Sequence, residues 1–142
     1  MKTIFRRLKV PLLIIFLLLV VSIFLFPVGV IYILNNGNPY TNYLINKSLP
    51  PYLEQKGYSD ENILEQHTVG PKDTINKSYY HDRYMVIFKD EPNVSYYYGI
   101  KKRGKLIKQF CEKDVLVKGY TTINTEQTKH SEEKCVSMYA NR

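Results

Sequence analysis

The chain has 142 residues and a formal net charge of +7, of which Lys2, Arg6, Arg7 and Lys9 at its start supply +4. The remaining sequence is close to charge-balanced, so the basic pI reflects that leading cluster and a nucleic-acid partner is not expected. Beyond residue 34 there is enough chain for one small domain and no more.

Residues 1–9 form a basic N-terminus, expected in the cytoplasm. Residues 10–34 carry no charge at all. As a helix this run spans about 37 Å, more than the ~30 Å hydrocarbon core of a bilayer. Lys and Arg flanking a span stay on the cytoplasmic side, so the N-terminus is predicted inside and the C-terminal part outside. The rival is a cleaved secretory signal. No small-x-small site follows the run, and no cysteine stands where a lipoprotein needs one, so an uncleaved anchor is expected. Pro11 falls in a first turn that tolerates it, whereas Pro27 should kink the helix.

Residues 35–50 read as a polar, Asn-rich stalk, with room for a short helical turn around Tyr43 to Lys47. Pro50-Pro51 then opens a helix through Lys56, which Gly57 stops in left-handed conformation. Ser59-Asp60-Glu61-Asn62 reads as a cap that starts one more turn, with Ile63 and Leu64 facing inward. Gly70-Pro71-Lys72-Asp73 and the polar residues up to Ser78 are a loop.

The β-branched and aromatic run Tyr84-Met85-Val86-Ile87-Phe88 predicts a strand, followed by a turn at Asp90-Glu91-Pro92-Asn93. The returning strand places Val94, Tyr96, Tyr98 and Ile100 on one face, and Ser95, Tyr97 and Gly99 on the other. Lys101-Lys102-Arg103-Gly104 turns again into a strand over residues 105–111, and Val115-Leu116-Val117 adds a short edge. The fold class expected is α+β. A single transmembrane helix leads, residues 51–118 form an antiparallel meander of three to four strands covered by a short helix, and residues 119–142 are a loose tail.

The stretch Tyr52-Leu53-Glu54-Gln55-Lys56-Gly57-Tyr58, together with Phe88-Lys89-Asp90-Glu91-Pro92-Asn93-Val94-Ser95-Tyr96-Tyr97-Tyr98, resembles the family of unknown function DUF3139. Its members come mainly from Bacillus and related Gram-positive bacteria. The resemblance covers roughly residues 1–112 and implies a short anchor and an extracytoplasmic setting, but no activity.

Candidate chemistry is sparse. Cys111 and Cys135 could pair in an oxidising compartment, closing a loop of about 25 residues worth ~3 kcal/mol, or remain two separate thiols. With His130 they lack the spacing of a metal site, so no metal is expected and His130 is read as a surface histidine. Asp90 and Glu91 are adjacent turn residues whose carboxylates diverge. His81 and Asp82, with a serine such as Ser78, are the residues from which a hydrolase could be built, but no nucleophile elbow accompanies them. No catalytic residue and no cofactor are expected. Lys101, Lys102, Arg103 and Lys105 make a basic hairpin tip suited to an anionic surface, either lipid headgroup or wall polymer. The expectation is a non-enzymatic binding or accessory module of the cell envelope, partnered by another envelope protein or such a surface. A small hydrolase using His81 and Asp82 is the alternative.

Overall fold

The computed structural model describes residues 2–70 and 75–141, with side chains from residue 11 onward. The side chains of Lys2, Arg6, Arg7 and Lys9, and most of the loop expected at residues 70–73, lie outside the described residues. Two compact units result, Met1–Asn36 and Gly37–Arg142.

The first unit is helix α1, Lys2–Asn36, which is continuous through Pro11 and Pro27. Pro27 has no amide proton, so the Ile23 carbonyl loses its helical donor. Ser22 Oγ donates back to the Leu19 carbonyl at 2.8 Å, which hides its hydroxyl from an apolar surrounding. Large apolar side chains along the whole run are exposed, Phe24 at 71% and Leu34 at 74% among them. An 18-residue window reaches a mean hydropathy of 3.1, long and apolar enough to cross a membrane.

The second unit begins with α2, Pro39–Gln55, where a polar stalk was expected. Asn38 caps it by accepting the Tyr40 amide at 2.9 Å, and Pro39 takes the first position, where no amide is needed. Thr41, Ile45, Leu49 and Leu53 recur every fourth residue and are all buried. Burying each of the three aliphatic chains is worth about 1.5–3 kcal/mol, enough to carry the helix across Pro50-Pro51. The carbonyls those prolines leave unpaired belong to the exposed Asn46 and Lys47, where water can satisfy them. At the far end the Gly57 amide bonds Glu54 O at 2.9 Å and the Tyr58 amide bonds Leu53 O at 3.0 Å, with Gly57 at φ +87. This is the Schellman pattern, and it delivers Tyr58 against the sheet.

The sheet has six antiparallel strands, β1 Ile63–Val69, β2 Arg83–Phe88, β3 Glu91–Ile100, β4 Ile107–Gln109, β5 Lys113–Val117 and β6 Tyr120–Asn124. Their order is β1-β2-β3-β5-β6, with β4 on the second half of β3 and β5 on its first half. The count exceeds the three to four expected because two segments lacked a clear signal. Residues 63–69 pair with β2 instead of continuing a helical turn, and Leu64 is 56% exposed, not inward. Residues 120–124 pair with β5, so the Val115 strand is interior and β6 forms the edge. The β2–β3 turn is centred on Lys89-Asp90, two residues earlier than expected, and Pro92 sits where the ladder register breaks between Phe88↔Glu91 and Ile87↔Ser95.

Both faces of β3 are covered. Val94, Tyr96, Tyr98 and Ile100 join Val86, Phe88, Ile63 and the α2 stripe in one core. Tyr97 joins Ile75, Tyr79, Phe110 and Met138 in a second core on the opposite face. Gly99 opens the way for Phe110, since a Cβ there would lie 2.5 Å from the ring. The C-terminal segment is therefore not a loose tail. Val136 and Cys111 pair through a 3.0 Å amide bond, Met138 O accepts the Asn76 amide at 2.7 Å, and the Glu112 carboxylate takes both Ser137 Oγ and the Met138 amide at 2.7 Å.

Candidate functional site

The ten residues of β3 span about 30 Å, so its two ends are separate places. Side chains of interest collect at both.

At the Glu91 end, Phe88 is fully buried beneath three rings. Tyr58 lies 4.5 Å away, Tyr96 5.3 Å, and His130 stacks on it at 3.9 Å with an interplanar angle of 25°. His130 is not the surface histidine expected, for its side chain is 12% exposed. Its Nε2 meets Asp90 Oδ1 at 2.8 Å and its Nδ1 meets Tyr58 Oη at 3.1 Å. An ionised carboxylate can only accept, so Nε2 carries the proton. Lys129 Nζ donates to the other Asp90 oxygen. The Lys129 hydrogen bond first, and His130 second, hold the Asp90 carboxyl down at about 2. Glu91 turns the other way and accepts the Tyr96 hydroxyl, which burial and then that bond push up to about 12. Thr128 Oγ1 stands 2.5 Å from the same hydroxyl. The adjacent carboxylates thus point apart, Asp90 to His130 and the Lys129 amine, Glu91 to Tyr96 and, from Oε1, to the Lys129 amide at 3.3 Å. An open cleft of about 330 Å³ lies alongside, lined by Gly57, Tyr58, Glu61, Asn62, Asp90 and His130.

Two features bring residues 128–132 to this end. Cys111 and Cys135 form a disulfide with Cα atoms 5.1 Å apart across 24 residues of sequence, so they are not available as metal ligands. Gln109, 1% exposed, donates from Nε2 to the His130 carbonyl at 2.8 Å and to Tyr98 Oη at 2.9 Å, while Oε1 accepts the Glu132 amide at 2.6 Å. Sequence reasoning missed Gln109 and His130 because neither has a local pattern.

At the Ile100 end stands the basic turn. The Lys101 amide bonds Leu106 O and the Lys102 amide bonds Ser78 O, both at 2.8 Å. Gly104 at φ +80 and Lys105 at φ +53 close it in left-handed conformation. The Lys105 amine donates to Tyr80 Oη and lies 4.4 Å from the Tyr80 ring centre and 5.6 Å from that of Tyr40. That bond raises the affinity of Lys105 for its proton. The structure therefore gathers Lys101, Lys102, Arg103 and Lys105 on one turn beside the start of α2.

His81 and Asp82 do not converge on a shared site with Ser78. His81 is exposed, whereas Asp82 is 2% exposed and accepts the Thr41 hydroxyl inside α2. Burial pushes its carboxyl up, against the opposing pull of the Asn38 backbone and His81. Asp82 thus ties the start of β2 to the first turn of α2 through Thr41.

The family described as Protein of unknown function (DUF3139) matches residues 8–98. The chain belongs to this family. The DUF3139 match is shorter than the 1–112 read from motifs, and it ends near the close of β3. It includes Tyr58, Phe88, Asp90, Glu91 and Tyr96, but neither the basic turn nor the segment carrying Lys129 and His130. No curated protein and no solved structure matches the chain.

Proposed function

We propose that this DUF3139 chain is a single-pass membrane protein whose N-terminus is cytoplasmic and whose second unit, Gly37–Arg142, is an extracytoplasmic, non-enzymatic binding module accessory to another envelope component. The observation that carries this reading is the charge-free part of α1, residues 10–34, which follows four cations and exposes its apolar side chains from residue 11 onward. The disulfide adds weight, since such bonds persist in oxidising compartments.

The polar groups support a binding role over catalysis. Asp90 is held by the Lys129 amine and by His130 Nε2, Glu91 holds a buried tyrosine, and Asp82 accepts the Thr41 hydroxyl. Asp90 and Glu91 each close a part of the fold, which argues against either as a free general acid or base. Protease treatment of intact cells should remove the second unit while α1 stays in the membrane fraction with its original N-terminus. Protection of that unit from protease, or a mature N-terminus near Gly37, overturns the reading.

A further inference from the structure

Charge is handled unequally over the second unit. The contacts between basic and acidic side chains among the described residues join Lys56 to Glu132, His67 to Glu65, and Lys129 and His130 to Asp90. Lys101, Lys102, Arg103 and Lys105 take part in none of them, though they stand within five positions of one another. Lys105 is turned onto Tyr80 and Tyr40, so it fixes the turn, while Lys101, Lys102 and Arg103 carry charge into solvent. Beside them Tyr40 is 55% exposed and Leu106 59% exposed. Cations mixed with an aromatic ring and an aliphatic side chain are the combination that settles at a bilayer interface.

Chain length then names what the turn meets. Tyr40 follows Asn36, the last residue of α1, by four positions, so their Cα atoms stand within about 14 Å of each other however the two units are oriented. Lys105 packs on Tyr40, so the basic turn is held close to the point where the chain leaves α1. We infer that the turn of Lys101, Lys102 and Arg103, with Tyr40 and Leu106 at its side, is a docking surface for the anionic phospholipid headgroups of the membrane that holds α1. This rests on the anchoring proposed above and names a partner for the module. Headgroups are favoured over wall polymer because the tether keeps them within reach at all times, at high effective concentration.

Each basic residue near an anionic surface should favour the docked state about fivefold, and the effect should vanish as the Debye length falls from about 10 Å at 0.1 M salt to about 3 Å at 1 M. The test uses the full chain reconstituted into vesicles of phosphatidylcholine alone and of phosphatidylcholine mixed with phosphatidylglycerol. Acylation rates are read at Lys101 and Lys102, with Lys129, at the other end of β3, as internal reference. The expected result is several-fold slower acylation of Lys101 and Lys102 in the phosphatidylglycerol vesicles at low salt, reversed at high salt, with Lys129 unchanged. A variant carrying Lys102→Ser and Arg103→Ser should lose most of the slowing at Lys101. Equal rates in both vesicles overturn the inference. So does slowing by added soluble polyphosphate without slowing by phosphatidylglycerol, which would assign the turn to a polymer. Flotation under alkaline wash separates the two claims. A chain that fails to float refutes anchoring itself, whereas one that floats with equal rates refutes the docking surface alone.

Discussion

The two ends of β3 treat their charged residues in opposite ways. At the Glu91 end, two carboxylates, a lysine and a histidine are matched to partners around a buried phenylalanine. At the Ile100 end, the cations of the turn meet no carboxylate among the described residues, and Asp82 is buried against Thr41 of α2. Matched charges at the first end mark a place where the fold closes on itself. Unmatched charges at the second mark a place where something outside the chain can complete it. If this contrast is right, damage to the Glu91 end should cost stability and damage to the basic turn should not.

The largest effect is expected at Phe88. Its ring carries Tyr58, Tyr96 and His130, so Phe88→Ala should destabilise the second unit by about 3–5 kcal/mol, out of a total of about 5–15 kcal/mol for a small domain. Urea unfolding of the full chain in micelles measures this. A variant that unfolds with the wild type means the ring is not the keystone of that end.

Next comes the disulfide that keeps the Thr128–Glu132 stretch in place. Replacing Cys111 and Cys135 by Ser should cost about 3 kcal/mol through the freed loop. Both thiols should resist labelling in denatured, unreduced chain. Full labelling without reductant removes the basis for this claim.

These two sites differ in how far sequence alone exposes them. Phe88 and the faces of β3 were readable because strand alternation puts Val94, Tyr96, Tyr98 and Ile100 on one side, and the structure keeps them there. The first half of α2 was read as a stalk with at most a turn of helix at residues 43–47, although Thr41, Ile45, Leu49 and Leu53 already carry the fourfold spacing. Asparagines and the Pro50-Pro51 pair hid it, because both oppose helix locally and burial outweighs them only once the sheet is present. Residues 128–139 have no period because they are held by distant groups, Gln109, Glu112 and the disulfide. His130 was read as a surface histidine for the same reason, since its partners Tyr58, Phe88 and Asp90 lie far off in sequence. The basic turn was legible as a charge run, but its place beside Tyr40 was not.

Acid titration should separate the two ends by sign. The Asp90 carboxyl is held at about 2 against an ordinary 3.8, so its contribution is present above 3.8 and lost as pH falls from there toward 2. Asp82 is shifted the other way by burial. The folded chain then binds a proton that the unfolded chain does not, and stability rises as pH falls from the raised Asp82 value toward 3.8. Asp90→Asn should flatten the loss below 3.8, and Asp82→Asn should flatten the gain above it. Unfolding midpoints across pH 2–7 decide the matter. The same slope in both variants would erase the distinction between a paired surface carboxylate and a buried one.

The smallest stability effect, and the one that sharpens the contrast most, belongs to the basic turn. Lys101, Lys102 and Arg103 are exposed and make no ion pair among the described residues. Removing like charges from a turn relieves some repulsion and loses some side-chain packing, while the backbone bonds to Leu106 and Ser78 do not depend on these side chains. Changing all three to Ser should therefore shift unfolding in neutral micelles by no more than about 0.5 kcal/mol in either direction. The same variant in phosphatidylglycerol vesicles should lose the added resistance to proteolysis that docking gives the wild type, and at 1 M salt the two should converge because screening removes what the substitution removes. A triple variant that unfolds well below wild type in neutral micelles would mean that the turn serves the fold, as the Glu91 end does, and that its charges are not held in reserve for a surface.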